Sequence, residues 1–250
     1  MAQNIELKTG VMGGTAVPIS SIYEETVDQK FGLGSLYVTD DERKFRYAKN
    51  GAVALGKALM CQAPVEIAHH KGIALGTAAA VGDEQFTIST TLSTATTKDQ
   101  YKDGYIQIVT GTGIGQIFRV KSNTAGTTCV VTLYDKVVTA CATTDTFTLK
   151  ANPWNGVLVA ANSQTGIPVG VPLAPVTISY YCWIQVSGPS AMIADTTDVT
   201  VLGAPVGRSS TQAVPGAVGV VTNDGTDNVY GNCMTAAAAA SAIMVFLTLE

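Results

Sequence analysis

Charged side chains are scarce in this sequence, and the scarcity is uneven. Of 250 residues only 14% are Asp, Glu, Lys or Arg, well below the quarter or so usual in soluble domains. Residues 151–250 carry six of them: Asp195, Asp198, Arg208, Asp224, Asp227 and Glu250, with no lysine. The first 150 residues hold 14 basic and 14 acidic groups, so the net charge of −4 arises wholly in the last hundred. A free-standing domain ordinarily shows water a surface about a quarter to a third charged. Here the polar positions are Thr, Ser, Asn, Gln and Gly, set between Val, Ile and Ala. Such a surface is desolvated at low cost, because no ion has to lose its hydration shell. The pattern points to an assembly component that lies against other chains, rather than to an enzyme.

Other absences narrow the field further. The longest apolar run, residues 236–247, is broken by Ser241 and is shorter than the roughly 18 residues of a membrane span. The start, Met1-Ala2-Gln3-Asn4-Ile5-Glu6, lacks a basic n-region and an apolar h-region, so no signal peptide is expected. Lys and Arg are not clustered among aromatics, which argues against a nucleic-acid partner. Five cysteines are an odd number, and none are spaced C-x-x-C. A zinc site is therefore unsupported, and buried free thiols in a reducing cytoplasm are expected. Cys129 and Cys141 have the spacing to face each other across a hairpin around Tyr134-Asp135-Lys136.

The candidate chemistry fails on geometry. His69 and His70 are the only histidines. Neighbours on an extended chain point to opposite faces, so the pair cannot chelate jointly. A Ser-His-Asp triad would have to use one of them, and no G-x-S-x-G elbow exists. Surface or interface histidines are the reading. Gly111-Thr112-Gly113-Ile114-Gly115 lacks G-x-G-x-x-G spacing and precedes β pattern, not the helix that a phosphate site needs. It reads as a hairpin connection. Asp40-Asp41-Glu42-Arg43-Lys44 lacks the alternating ligands of a calcium loop and reads as a solvated turn or a salt-bridged contact. Asn223-Asp224-Gly225-Thr226-Asp227 reads as a turn. No catalytic residue, metal, cofactor or small-molecule substrate is expected.

What is present is β pattern. Tyr105-Ile106-Gln107-Ile108-Val109 and Ile117-Phe118-Arg119-Val120-Lys121 alternate with period two. Strands are also expected at 128–133, 146–149, 156–160 and 178–186, the last closed by a turn at Ser187-Gly188-Pro189. Further strands are expected at 199–202, 217–221, 228–232 and 243–249. Ile243, Val245, Leu247 and Leu249 would share one face of the final strand. Short strands rich in Thr, Val and Ile suit an antiparallel sandwich or barrel. The helical signals are weak: residues 52–60 could make two turns, with Gly56 in the middle. The fold class expected is all-β, two small β domains with an extended N-terminal arm. A boundary is placed at Ala151-Asn152-Pro153-Trp154, where charge density drops. The divisions are an arm at 1–50, a first β domain at 51–152 and a second at 153–250.

The glycine-punctuated, aperiodic first fifty residues suit an arm that orders on a partner; a terminus packed on its own domain is the alternative. Tyr181 and Trp183 share one strand face, as a carbohydrate platform would, but core or subunit-interface packing is the commoner fate of such aromatics. Phe31, Phe45, Tyr47, Tyr181, Trp183, Val245 and Leu247 are the candidate core or interface residues.

Several segments together resemble a known group. They are Phe45-Arg46-Tyr47-Ala48-Lys49-Asn50-Gly51-Ala52-Val53-Ala54-Leu55, and Tyr101-Lys102-Asp103-Gly104-Tyr105 with residues 111–121. Asn152-Pro153-Trp154-Asn155-Gly156-Val157, residues 181–189 and the closing Val245-Phe246-Leu247-Thr248-Leu249 complete the set. From about Asp40 onward the chain resembles capsid decoration, or cement, proteins encoded beside major capsid genes in tailed bacteriophages. The resemblance implies a structural virion protein, made in the host cytoplasm and bound to the outer surface of the capsid. It implies the major capsid protein and further copies of itself, as a homotrimer, as partners, with no nucleic acid and no membrane. It supplies no catalytic residues. A tail-tube or head-fibre base protein and a host-surface adhesin are the competing readings. A tube protein needs a long hairpin reaching the next ring, an adhesin needs export, and a major capsid protein needs a long spine helix; the sequence offers none of these.

Overall fold

A computed structural model describes residues 8–12, 15–19, 21–88, 92–163, 165–196, 200–208, 213–221, 228–236 and 238–250, with backbone alone up to residue 19. The fold is all-β. In chain order the strands are β1 (Lys8–Met12), β2 (Thr15–Ile19), β3 (Leu36–Val38), β4 (Lys44–Asn50), β5 (Cys61–Gln62) and β6 (Lys71–Ala74). Then come β7 (Gln85–Thr87), β8 (Tyr105–Thr110), β9 (Ile117–Asn123), β10 (Val130–Leu133), β11 (Thr146–Lys150) and β12 (Asn155–Val159). The last are β13 (Pro168–Pro172), β14 (Tyr181–Ile193), β15 (Pro205–Gly207), β16 (Gly219–Val220), β17 (Val229–Cys233) and β18 (Ala242–Thr248). Among the described residues the one helical element is a 3-10 turn, Ala68–His70, and no helix is long and apolar enough to cross a membrane. Residues 52–60 form turns, and Leu55 bridges Val176.

The chain forms two compact units, Met1–Pro64 with Pro153–Glu250, and Val65–Asn152. This differs from the expected consecutive division at 50 and 152. The chain leaves the first unit just after β5 and returns just before β12, and these two strands pair with each other. The second unit is thus an insertion between neighbouring strands of the first.

In the first unit, β4, β14, β13, β5 and β12 pair in a closed ring. Closure leaves no free edge within it. Five strands enclose a narrow interior, which the chain fills with Ala48, Cys61, Val157, Cys182 and Ile184. Beyond the ring, residues 187–193 of β14 pair with β18, followed outward by β17, β15 and β16. Met192, Val206, Val218, Ile243, Val245 and Leu247 form a second core under this extension. The turn expected at Ser187-Gly188-Pro189 is absent: β14 continues through it, in unbroken register from Ser187 opposite Thr248 to Ile193 opposite Ala242. Gly188 absorbs the bend at φ 86°, a conformation that glycine adopts without strain. The buried Gln185 amide ties the bend, donating from Nε2 to the carbonyls of Ser187 at 3.0 Å and Pro189 at 2.9 Å. The expected strand at 199–202 is not formed where described; residues 200–202 make an isolated bridge and a turn.

Of the two readings of the first fifty residues, the terminus packed on its own domain holds from residue 21 onward. β3 and β4 belong to the main sheet, and residues 21–35 form a strap over the aromatic side of β4 and β14. Backbone bonds between Thr26 and Tyr181 run in both directions at 2.9 and 2.8 Å. Lys30 N donates to the Tyr47 hydroxyl at 3.1 Å, and the Glu25 carboxylate accepts from the Thr177 hydroxyl at 2.8 Å. The segment is aperiodic because it follows one particular surface of its own domain. Among the described strands only β1 and β2, a hairpin paired Lys8 to Ile19 through Met12 to Thr15, lie outside both large sheets.

In the second unit, strands run in the order β6-β11-β8-β9-β10-β7, and a bridge between Leu75 and Ile88 closes the two ends. The inward positions of the alternating strands, Ile106, Ile108, Phe118, Val120, Val131 and Phe147, meet in one buried core.

Candidate functional site: an uncharged face of the first unit

β18 reads Ala-Ile-Met-Val-Phe-Leu-Thr, apolar at every position but the last. Strands with one wetted face alternate apolar and polar, whereas strands covered on both faces read as continuous apolar runs. Ile243, Val245 and Leu247 point into the core. Met244 and Phe246, on the other face, are 43% and 44% exposed. Register extends that face sideways. Phe246 lies opposite Pro189 on β14 and Asn232 on β17, and Asn232 lies opposite Pro205 on β15. Met244 lies opposite Ala191, and its carbonyl accepts the N–H of Met234 at 2.7 Å. Neither row contains a charged residue.

The few charges of residues 153–250 that the structure describes are held within the unit. Asp195 has no exposed surface. Its carboxylate accepts the N–H groups of Thr196 at 2.7 Å, Ala213 at 2.8 Å and Val214 at 3.3 Å. Arg208 donates to the Asn162 carbonyl at 2.8 Å. Glu250 takes two nitrogens of Arg46, Nε at 2.9 Å and Nη2 at 2.6 Å. Asp198, Asp224 and Asp227 lie outside the described residues, as does the whole of the turn expected at 223–227. What the face offers a partner is apolar area and a few neutral polar groups, a composition that costs little to dehydrate.

None of the seven residues singled out from sequence lies on this face. Phe45, Val245 and Leu247 are fully buried, Tyr47 and Trp183 nearly so. Phe31 packs edge-on against Tyr47, ring centroids 5.2 Å apart, and Tyr181 stacks on Tyr47 at 5.9 Å. Phe31 of the strap and the other four aromatics form one cluster, so Tyr181 and Trp183 make no open platform. Met244 and Phe246 were missed, although the alternation that sends Val245 and Leu247 inward sends them outward.

The other sequence candidates have structural roles. His70 is buried, contrary to the surface reading, because the pair sits in the 3-10 turn and not on an extended strand. Its Nε2 donates to the Thr94 carbonyl at 2.7 Å, so in the neutral ring Nδ1 accepts from the Tyr101 hydroxyl. Burial, with the nearby Cys129 and Glu66, pushes that hydroxyl above its ordinary value. His69 is exposed and meets the Thr94 hydroxyl at 2.7 Å. The glycine segment 111–115 connects β8 and β9, and its N–H groups enclose the chain's own Asp145. Gly113 N and Thr112 N donate to that carboxylate at 2.8 and 3.1 Å. A Cβ on Gly111 would fall 1.9 Å from Asp145 Oδ1. Burial raises the Asp145 carboxyl, but the bonds from Gly113 and Thr112 outweigh it and hold it below the ordinary range. Residues 39–43 form a turn in which Arg43 meets Asp41 at 2.7 Å. All five cysteines are buried free thiols, Cys129 and Cys141 among them. Among the described residues no three His, Cys, Asp or Glu side chains are grouped to hold a metal.

Comparison with protein-family models, with curated proteins and with solved structures finds no match.

Proposed function

We propose that this chain is a capsid decoration protein of a tailed bacteriophage. It acts by binding alone, attaching to the outer surface of the assembled shell and bridging neighbouring capsomers. The observation that carries this reading is the uncharged face of Pro189, Ala191, Met244 and Phe246, backed by a strand whose sequence is apolar on both sides. The likeness of residues 45–55, 101–121, 152–157, 181–189 and 245–249 to such proteins supports it. In this reading the major capsid protein covers the face, and copies of the chain assemble as a homotrimer. A ligand that binds only the assembled shell stabilises it by mass action, about 2.7 kcal/mol per site at a hundred times its Kd. Residues 21–50 are committed to their own domain, so any arm contact with the shell is confined to the residues before them.

The test is decoration of bare capsids by the purified chain, followed in electron micrographs and by heating. Wild type is expected to bind and to raise the temperature at which capsids rupture. Phe246→Asp is expected to lose decoration while its own unfolding midpoint stays unchanged. Capsids no more heat-resistant with the wild-type protein than without it would overturn the reading in favour of a fibre-base or host-adhesin role.

A further inference from the structure

The outer wall of the inserted barrel carries a group of side chains that neither its core nor the attachment described above employs. Tyr105 on β8 lies directly opposite Arg119 on β9. Tyr134, just past β10, donates its N–H to the Arg119 carbonyl at 3.0 Å. The Arg119 guanidinium carbon sits 4.8 Å from the centre of the Tyr134 ring, within cation–π range. Arg119 Nη2 and the Tyr134 hydroxyl both donate to Asp103 Oδ1, at 2.7 and 3.1 Å. Tyr105 is 39% exposed and Tyr134 48%.

Asp103 is held in place by backbone. It adopts φ 60°, a left-handed turn conformation in which Asp is one of the more frequent residues after glycine. Its N–H donates to the Val120 carbonyl at 2.8 Å and its own carbonyl accepts from Asn152 Nδ2 at 3.1 Å. Among the described residues, Asp103 Oδ2 accepts no hydrogen bond, and Arg119 Nε and Nη1 donate none. One open acceptor and two open donors therefore stand side by side in fixed positions, next to two tyrosine rings.

That combination matches the chemistry of a sugar. Neighbouring hydroxyls need an acceptor and a donor close together, and the C–H face of the ring needs an aromatic surface. Tyrosine supplies that surface with little rotamer entropy to lose. The charge balance decides between ligand classes. Asp103 neutralises Arg119, and Lys150, opposite Tyr105 on β11, lies 3.7 Å from Glu66. Nucleic acids and other polyanions are held by many unneutralised Lys and Arg together; here Arg119 and Lys150 are paired, whereas exposed Lys102 and Lys121 have no ion pair among the described residues, and the acidic chains of the experiment below probe them. We propose that Tyr105, Arg119, Tyr134 and Asp103 form a binding site for a neutral glycan. The proposal stands apart from capsid attachment: the site belongs to the second unit, and its loss would leave the face on the first unit intact.

The experiment uses the full chain on an array of immobilised oligosaccharides, neutral hexose and N-acetylhexosamine chains beside sialylated and uronic-acid chains. A fluorescent twenty-residue oligothymidylate is titrated in parallel. Retention on neutral chains is expected, reduced at least tenfold by Tyr105→Ala and by Arg119→Ala. Tyr23→Ala, at an exposed tyrosine of the first unit, is expected to retain binding. Circular dichroism melting of each variant, with a midpoint matching wild type, separates a lost site from a lost fold. No retention on any neutral chain would overturn the proposal. So would retention indifferent to Tyr105→Ala and Arg119→Ala in folded variants, or selective capture of the acidic chains or the oligonucleotide.

Discussion

Two adjacent residues of β18 meet opposite environments, and truncating each in turn separates folding from docking. Leu247 has no exposed surface. Its cross-strand neighbours are Gly188 and Gly231, which have no side chains to move into a vacated space. Backbone movement is blocked too: even a Cβ on Gly231 would come within 2.0 Å of the Phe246 carbonyl. The cost of a large-to-small change depends on how far the site collapses, and spans about 2–5 kcal/mol for Leu→Ala. A site that cannot collapse belongs at the upper end. In a unit of this size each kcal/mol moves the midpoint by roughly 2–4 °C, so Leu247→Ala should lower it by roughly 8–20 °C. Phe246→Ala, on the solvent side, should stay within about 0.5 kcal/mol. Both tryptophans, Trp154 and Trp183, lie in the first unit, so tryptophan fluorescence during heating reports that unit alone. Equal shifts for the two variants, or a drop of under 2 °C for Leu247→Ala, would refute the assignment of faces.

Three further outcomes follow from the buried polar groups. Tyr101→Phe strands the Nδ1 of His70 and should cost the inserted barrel about 1–3 kcal/mol; a urea midpoint equal to wild type by far-ultraviolet circular dichroism would contradict the bond. Asp145 has a folded pKa below its unfolded value of about 3.9, so its stabilisation is present above that pH and is lost as pH falls through the folded value. Urea midpoints should therefore decline below about pH 4, and Asp145→Asn should flatten the decline; an identical slope in the variant would count against the carboxylate. Burial pushes the Cys61 thiol well up and, with the charge of Glu25, the Cys182 thiol up to about 12. Ellman's reagent at pH 8 should label no cysteine in the native protein and all five in denaturant, and rapid native labelling of Cys61 or Cys182 would show that the first barrel opens.

How much of this was legible depends on whether the signal was local. The period-two runs at 105–109 and 117–121 became β8 and β9 because each strand needs only one buried face. The inward set Ile243, Val245 and Leu247 was legible for the same reason. The insertion was half visible. Charge density falls at 151–156, where the chain re-enters the first unit, but its exit at Gln62-Ala63-Pro64-Val65 follows a strand of two residues and leaves no periodic trace. At Ser187-Gly188-Pro189 the local turn chemistry was overridden by seven consecutive pairings with β18. The strap at 21–35 misled because one-off contacts, such as Phe31 against Trp183 at 5.3 Å, have no period. An aperiodic segment reads alike whether it wraps its own domain or another chain. His69 and His70 were placed by strand parity, and a 3-10 turn does not obey it. The outer residues Met244 and Phe246 followed from alternation, but their exposure depends on whether anything covers the sheet, and no local pattern carries that.

If the uncharged face is the site of attachment, as proposed, it also dictates how attachment should behave. Charged interfaces gain encounter rate by steering and lose it as salt rises, because opposite charges are screened beyond about 8–10 Å at physiological ionic strength. A face built from Phe246, Met244, Pro189 and Ala191 has no such steering. Its association should proceed at the ordinary rate of about 10⁵–10⁶ per molar per second for uncharged surfaces, and its affinity should reside in slow dissociation. Raising salt from 0.05 to 0.5 M should leave decoration of capsids intact or strengthen it, since apolar burial is unaffected by screening. A fall in affinity of tenfold or more over that range would place the contact on charged residues away from this face instead. The internal bonding of Asp195, Arg208 and Glu250 makes the same point from the protein's side: these ions serve the fold and leave the apolar rows as what a partner would meet.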